Sequence, residues 1–317
     1  MSSRKRWWIY PSALALVWLV WAACMCAWSA WSLYASHWPI ALTMVLGSFI
    51  AGSAPIGGGA VAYPVFTKLL AIPARDAALF GLMIQSVGMT MATLFIVSRG
   101  IRFERQVVRA ALLGAIPGVV LGLAFVRLPA HVPRLGFSCL LAIFAFVLYR
   151  SHFGRGRAPL AELPWQRADA VRFAATGLLG GVVASSIGSG PEMLCFMVMT
   201  LGYRLEPRVA VPTAVMIMAA TSAVGFGFRL LQPEPIGAAW GYWAVAVPIV
   251  VIGAPLGAWV ASKVRAEVLL GGVLTLIAAE VVSSALLIPL DREKLVWIGG
   301  VSALAVLWSR RLHAAQL

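Results

Sequence analysis

Two glycine-rich stretches lie inside long apolar runs of this sequence: SAPIGGGAVAYP at 53–64 and SSIGSGPE at 185–192. Adjacent glycines lose the most backbone freedom on folding, so we expect them to interrupt a helix. A helix that begins after such a break presents unpaired N–H groups and the positive end of its dipole. Two such ends directed at one volume would bind an anion without a buried arginine.

Small polar residues accompany the two predicted breaks and the segments that follow them. We interpret these residues and the glycines as candidate substrate ligands: Ser53, Gly57, Gly58, Gly59, Gln85, Ser86, Ser186, Gly188, Ser189, Gly190, Thr221 and Ser222. Hydroxyl and amide groups suit a tetrahedral oxyanion. The alternative for each hydroxyl is a hydrogen bond to its own helix.

Two acidic residues, Glu192 and Glu280, fall inside apolar segments. Acidic groups at membrane depth are functional candidates, and a carboxylate beside an anion site must be protonated to avoid repulsion. We therefore interpret both as candidates for proton coupling. Capping is an equal alternative for Glu192, because Gly190 at the N-cap places it at N2. Glu280 either faces a cavity or pairs with a basic neighbour such as Arg229.

The composition indicates a polytopic membrane protein. The 317 residues are 61% hydrophobic and 11% charged, whereas about a quarter of the residues of a soluble domain are charged. Basic cytoplasmic loops account for the net charge of +14, so we expect no nucleic-acid partner. The four Cys and four His residues show no ligand or catalytic spacing, so we expect no metal, no cofactor and no enzymatic activity.

The apolar segments predict a division of the chain into five parts. These are an N-terminal transmembrane helix (1–36), a first repeat (40–150), a basic cytoplasmic linker (151–167), a second repeat (168–288) and a C-terminal helix (293–317). Each repeat begins with an interrupted segment, at 40–72 and 168–202. We favour retention of the first helix over its cleavage as a signal peptide, because it is long and rich in Trp.

Each interrupted segment is either one long span or a re-entrant pair of half-helices. If both segments span, the 25 Lys and Arg residues divide almost evenly between the two sides. If both are hairpins, most of these residues are cytoplasmic, as the positive-inside rule requires. Arms of about 11 to 15 residues in the first hairpin would also be too short to cross. We therefore predict an all-α protein with eight spans, two hairpins and both termini in the cytoplasm.

Matching motifs indicate that the two halves are repeats. IGGG at 56–59 corresponds to IGSG at 187–190, and GxxxG at 118–122 corresponds to GxxxG at 253–257. A hairpin does not cross the membrane, so each repeat of one hairpin and three spans crosses three times. An odd number of crossings gives an inverted-topology repeat, an architecture that places substrate near the bilayer midplane. We interpret the GxxxG pairs as close helix packing. Packing within one chain and packing between the chains of a homodimer both remain open.

At these residues the chain resembles the TauE/SafE family, the sulfite exporter and toluenesulfonate permease group. The resemblance covers about residues 40–288 and is carried by GSFIAGSAPIGGGAVAYPVFTKLLAIPARDAA (47–78), GLLGGVVASSIGSGPEM (177–193) and the GxxxG pairs. The second motif departs from the family pattern at Ser189, Pro191 and Glu192, which bears on substrate and coupling.

The resemblance implies a secondary transporter of a small sulfur-containing anion such as sulfite, thiosulfate, a sulfonate or a sulfoacetate-like compound. It also implies a location in a bacterial inner membrane, transport by alternating access and coupling to a proton gradient. The expected partners are the small anionic substrate and the lipid bilayer. An anion channel of the same architecture is the alternative, and it would show large single-channel currents without stimulation by a pH gradient.

Overall fold

The computed structural model describes residues 7–55, 59–128 and 160–264, together with parts of 132–146 and 268–282. These residues are almost entirely helical, and seven of their helices are long and apolar enough to cross a membrane. The prediction of an all-α polytopic membrane protein is confirmed. The helices are α1 (Ile9–Ala27), α2 (Leu33–Ser53), α3 (Gly59–Pro64), α4 (Ala74–Arg99), α5 (Arg105–Phe125), α6 (Arg167–Ile187), α7 (Pro191–Met197), α8 (Pro207–Leu230) and α9 (Ala239–Lys263).

Five predicted spans coincide with α1, α4, α5, α8 and α9. The predicted spans near 135–148 and 268–287 lie partly outside the described residues, and the C-terminal helix at 293–317 lies wholly outside them. Both interrupted segments are broken in the structure as well. In each segment a long helix (α2 or α6) is followed by a break and a short helix (α3 or α7).

The first arm of the first hairpin is longer than the sequence predicts. α2 begins at Leu33 and has 21 residues, so the expectation of arms too short to cross is wrong for this helix. Pro39 lies inside α2 and bends it at His37, where φ is −117° and ψ is 15°. An internal proline removes one backbone hydrogen bond, but here the helix continues through the bend.

The first interrupted segment starts and finishes at the same end of the helix bundle. α2 starts beside the start of α9, where an added Cβ at Gly241 would lie 3.0 Å from His37 Nε2. After the break, Arg75 in the first turn of α4 pairs with Glu234, which lies between α8 and α9. The chain between Leu33 and Arg75 therefore folds back. We call this end of the bundle the Glu234 end.

The second interrupted segment folds back at the opposite end. Tyr203, which follows the second short helix, donates a hydrogen bond to Asp169 in the first turn of α6. Glu104, the residue immediately before α5, accepts a hydrogen bond from the Leu163 N–H at 3.3 Å. We call this end the Glu104 end. The two hairpins therefore open toward opposite ends of the bundle, which an inverted-topology repeat requires; how the ends lie in a membrane stays a prediction.

The alternative in which both interrupted segments are spans does not fit these contacts. That alternative places Arg99 and Arg208 on opposite sides of the membrane. Its first extra crossing reverses the side of every loop between the two breaks, and its second extra crossing restores the original side after the second break. In the structure, Arg99 and Arg208 line one cleft at the Glu104 end. The hairpin interpretation puts both residues on one side and agrees with this geometry.

Local structure recurs along the two hairpins at a constant separation. A π-helical turn at Val65–Leu69 recurs 133 positions later at Val198–Gly202. Ala71, with φ of 53°, likewise corresponds to Arg204, with φ of 57°. Positive φ is uncommon for residues other than glycine, so its recurrence at matched positions indicates that both hairpins follow one structural plan.

Close helix packing ties each hairpin to a helix of the other half. An added Cβ at Gly118 of α5 would lie 2.3 Å from the Leu178 carbonyl oxygen of α6. An added Cβ at Gly257 of α9 would lie 2.0 Å from the Phe49 carbonyl oxygen of α2. The interpretation of the GxxxG pairs as close packing is confirmed, and both glycine faces are occupied within the chain.

Candidate functional site

Polar side chains meet where α4 crosses α8 in the interior. Ser222 Oγ of α8 donates a hydrogen bond to Gln85 Oε1 of α4 at 3.0 Å, and both residues are buried. Polar groups in an apolar interior are costly unless they are hydrogen-bonded. The side-chain amide of Gln85 also carries two N–H donors. The crossing therefore brings together two residues that the sequence predicts as ligands.

Thr221, the residue before Ser222 in α8, is only 1% exposed. Its Oγ1 has no hydrogen-bond partner among the described residues. Leaving a buried hydroxyl unpaired costs about 1–3 kcal/mol, and such groups are uncommon in native interiors. Thr221 is therefore a buried hydroxyl donor one residue before Ser222 in α8, although adjacent helix residues point in different directions.

Glu192 fills the second break. α7 begins at Pro191, with Gly190 before it and Glu192 in its first turn. The Glu192 carboxylate is 1% exposed and accepts hydrogen bonds from Ser189 Oγ and from the Gly190 N–H, the latter at 3.0 Å. These are capping contacts, so the carboxylate engages two donors that the sequence predicts for substrate. A role of Glu192 in proton coupling stays a prediction.

Gly188 and Gly190 allow the second break to pack tightly against its neighbours. Gly188 has φ of 76°, and an added Cβ there would lie 2.8 Å from the Ala78 carbonyl oxygen of α4. An added Cβ at Gly190 would lie 2.2 Å from the Gly180 carbonyl oxygen of α6. Side chains at these positions would push the start of α7 away from both helices.

The first break lies only partly within the described residues. α2 ends at Ser53 and α3 begins at Gly59, whereas Gly57 and Gly58 lie outside the part of the chain that the structure describes. Ser53 is buried, and its hydroxyl donates to the Ile50 carbonyl at 3.2 Å. This hydroxyl is therefore engaged by its own helix. Substrate contacts by the three glycines remain predictions.

Ser86 and Ser186 also make local contacts. Ser86 Oγ donates to the Met83 carbonyl at 2.7 Å, one turn earlier in α4. Ser186 Oγ lies 3.5 Å from Ser185 Oγ. The structure thus brings Gln85 and Ser222 into direct contact, whereas Ser86 and Ser186 bond within their own helices.

Glu280 lies outside the described residues, so its role stays a prediction. Arg229, the partner suggested for it, is 5% exposed and lies at the Glu234 end. Its guanidinium donates to the carbonyls of Glu234 at 2.9 Å and Pro235 at 3.3 Å. Arg229 therefore has other partners in the loop that follows α8.

Sequence reasoning missed an ionic cluster around Glu234, which we call the Glu234 cluster. The carboxylate pairs with Arg75, with Arg127 after α5 at 3.2 Å, and with Arg229 at the end of α8 at 3.6 Å. Partial desolvation acts to raise the pKa of Glu234, but the three guanidinium groups together outweigh it, so the pKa is lowered. Arg75 and Glu234 are 159 positions apart, so no local pattern signals this cluster.

Residues 11–283 match the protein-family model described as Sulfite exporter TauE/SafE. The match takes in both hairpins and every described helix from α2 to α9. No significant match was found among curated proteins or among solved structures.

Proposed function

The chain belongs to the TauE/SafE family of sulfite exporters, and we propose that it is a secondary transporter of a small sulfur-containing anion. The members of this family are transporters, and the chain is a multi-pass membrane protein. The proposed substrates are sulfite, thiosulfate, sulfonates and sulfoacetate-like compounds. The proposed location is a bacterial inner membrane with both termini in the cytoplasm.

The observation that carries the proposal is the buried polar crossing of α4 and α8. Gln85 and Ser222 are hydrogen-bonded there, and the neighbouring Thr221 hydroxyl lacks a partner among the described residues. A sulfur oxyanion has several acceptor oxygens, and neutral donors of this kind can bind it. Because these groups carry no net charge, they support binding weak enough for release on the far side.

Helix pairing supports a division into two moving parts. The glycine contacts join α2 to α9 and α5 to α6, and backbones in such close contact are expected to move together. α4 and α8 cross between these pairs. We expect alternating access to come from one hairpin pair moving against the other about this crossing.

Glu192 is the proposed proton-coupling group. Its carboxylate accepts hydrogen bonds from the Ser189 hydroxyl and the Gly190 N–H at the second break. Protonation removes its negative charge and weakens its hold on these donors. An arriving anion would then meet no repulsion and would gain access to the same donors. Proton and anion would therefore bind together.

Uptake into proteoliposomes tests the proposal. We expect saturable uptake of one or more of sulfite, thiosulfate, taurine and an aryl sulfonate, accelerated by a pH gradient. Large single-channel currents without pH stimulation would instead identify the anion channel. Failure to move every compound in the panel, by a protein shown to be folded, would overturn the proposal.

A further inference from the structure

A cleft of about 830 Å³ opens at the Glu104 end, between α1, α4, α9 and the start of α8. Its basic lining residues come from three parts of the chain: Arg99 and Arg102 at the end of α4 and just after it, Arg208 in α8, and Lys263 at the end of α9. Glu206 is the acidic residue in this lining. The cleft therefore carries an excess of positive charge.

Two of the four basic groups are partly neutralised. Arg102 pairs with Glu162 at 2.9 Å, and Arg208 lies 3.9 Å from the Glu206 carboxylate. Among the described residues, neither Arg99 nor Lys263 forms an ion pair. The guanidinium of Arg99 instead lies over the Phe95 ring, with its carbon 5.4 Å from the ring centroid. These two cations are the ones best placed to take an anionic group.

The wall of the cleft below these cations is apolar and open to the side. Ile252, Leu256 and Trp259 of α9 line it and are 41%, 47% and 47% exposed. α9 is long and apolar enough to cross a membrane, so we expect such exposed side chains to face lipid. Trp259 stands one turn before Lys263, an arrangement typical of the membrane–water interface.

We propose that this cleft binds an anionic phospholipid. Its phosphate would lie between Arg99 and Lys263, and its acyl chains would follow Ile252 and Leu256. A small soluble anion would leave the apolar wall unused, whereas a zwitterionic headgroup would add a positive group to a cationic site. Basic pockets between membrane helices are known to select anionic headgroups in this way.

The proposed lipid would also fasten α1 to the rest of the bundle. α1 is largely exposed. The Tyr10 hydroxyl of α1 donates to the Val251 carbonyl of α9 at 3.0 Å, and Tyr10 lines the cleft. A lipid held there would contact α1, α4 and α9 together. The site is separate from the α4–α8 crossing and does not depend on which anion is transported.

Thermal unfolding of the delipidated full-length protein in neutral detergent tests the proposal. We expect phosphatidylglycerol to raise the unfolding temperature, whereas phosphatidylcholine and inorganic phosphate leave it unchanged. An Arg99→Gln, Lys263→Gln variant should weaken the apparent affinity for phosphatidylglycerol by about tenfold or more, because each cation near an anionic lipid contributes about a factor of five. Arg167→Gln, which removes an exposed arginine outside the cleft, is the matched control.

Native mass spectrometry supplies a second readout that does not depend on stability. The wild type and the control should retain one phosphatidylglycerol molecule that the double variant loses. Equal stabilisation by phosphatidylcholine would overturn the proposal, as would an unchanged lipid response in the double variant. Equal stabilisation by phosphate would identify a soluble anion as the occupant and would overturn it too.

Discussion

Ser222 donates a hydrogen bond to Gln85 across 3.0 Å, and this contact joins the two predicted repeats in the interior of the molecule. Gln85 lies on α4, which follows the first hairpin, and Ser222 lies on α8, which follows the second. The proposed motion of one hairpin pair against the other is centred on this crossing and must act on this pair. The same two residues carry the proposed anion site, so they link substrate binding to the proposed motion.

Removing both members of this pair should separate its structural role from its role in transport. Ser222→Ala alone leaves the Gln85 amide oxygen without its partner and should lower the free energy of unfolding by about 1–3 kcal/mol. The double variant Gln85→Leu, Ser222→Ala should recover most of this loss, because two apolar groups replace two polar ones. Denaturation in detergent measures both effects.

Transport by the double variant should nevertheless fall by about tenfold or more, as expected for the loss of one or two hydrogen bonds to substrate. Thr176→Ala is the matched control, because the Thr176 hydroxyl bonds only to the Arg172 carbonyl on the exposed side of α6. A stable double variant with wild-type uptake would remove Gln85 and Ser222 from the substrate site.

Glu192→Gln should uncouple transport from the pH gradient. Glutamine is neutral like protonated glutamate, and its amide oxygen still accepts the Gly190 N–H, so the variant should fold. We expect sulfite or sulfonate uptake to persist but to lose its stimulation by a pH gradient. Glu162→Gln alters an exposed carboxylate at the Glu104 end and should keep the stimulation. Retained stimulation in Glu192→Gln would assign Glu192 to capping alone.

The sequence predicts the breaks and most long helices because both depend on local chemistry. Apolar length predicts α4, α5, α8 and α9, and adjacent glycines predict the break after α2. The start of α2 is harder to predict. A proline within an apolar segment either ends a helix or bends it, and the local sequence does not decide between the two outcomes. Packing against α9 is consistent with a bend at His37, which lies next to Gly241.

The candidate site is only partly predictable for a different reason. Gln85 and Ser222 are found from their matching positions in the two repeats, but their mutual hydrogen bond depends on how α4 and α8 cross. Glu192 can be identified from its position after Gly190, whereas its contact with the Ser189 hydroxyl depends on the conformations of the two side chains. The Glu234 cluster joins three distant segments by tertiary contacts alone.

Gly118→Ala should destabilise the pairing of α5 with α6. The added methyl group would lie 2.3 Å from the Leu178 carbonyl oxygen, so the two backbones must separate, at a cost of about 1–3 kcal/mol. Gly227→Ala is the matched control, because an added Cβ at Gly227 in α8 meets no atom within 4 Å. Alanine there should stabilise the helix by about 0.5–1 kcal/mol. Thermal unfolding in detergent compares the two, and equal shifts would contradict the packing interpretation.

The Glu234 cluster should make stability sensitive to acid. The guanidinium groups of Arg75, Arg127 and Arg229 lower the pKa of Glu234 in the folded protein, against a partial desolvation that acts to raise it. A lowered pKa means that the folded state holds the ionised carboxylate more favourably than the unfolded chain does. This stabilisation is present above the ordinary carboxylate pKa of about 4.3 and is lost as the pH falls through the lower, folded value.

Glu234→Gln removes the titrating group and should abolish this part of the acid dependence. We expect the variant to unfold more easily than the wild type at neutral pH, and the difference to shrink as the pH falls below the ordinary carboxylate range. Thermal unfolding over a pH series measures both. Glu162→Gln is the control, because its single arginine partner is exposed and such pairs contribute little. A difference between wild type and Glu234→Gln that stays constant with pH would show that the cluster stabilises the Glu234 end through packing rather than through charge.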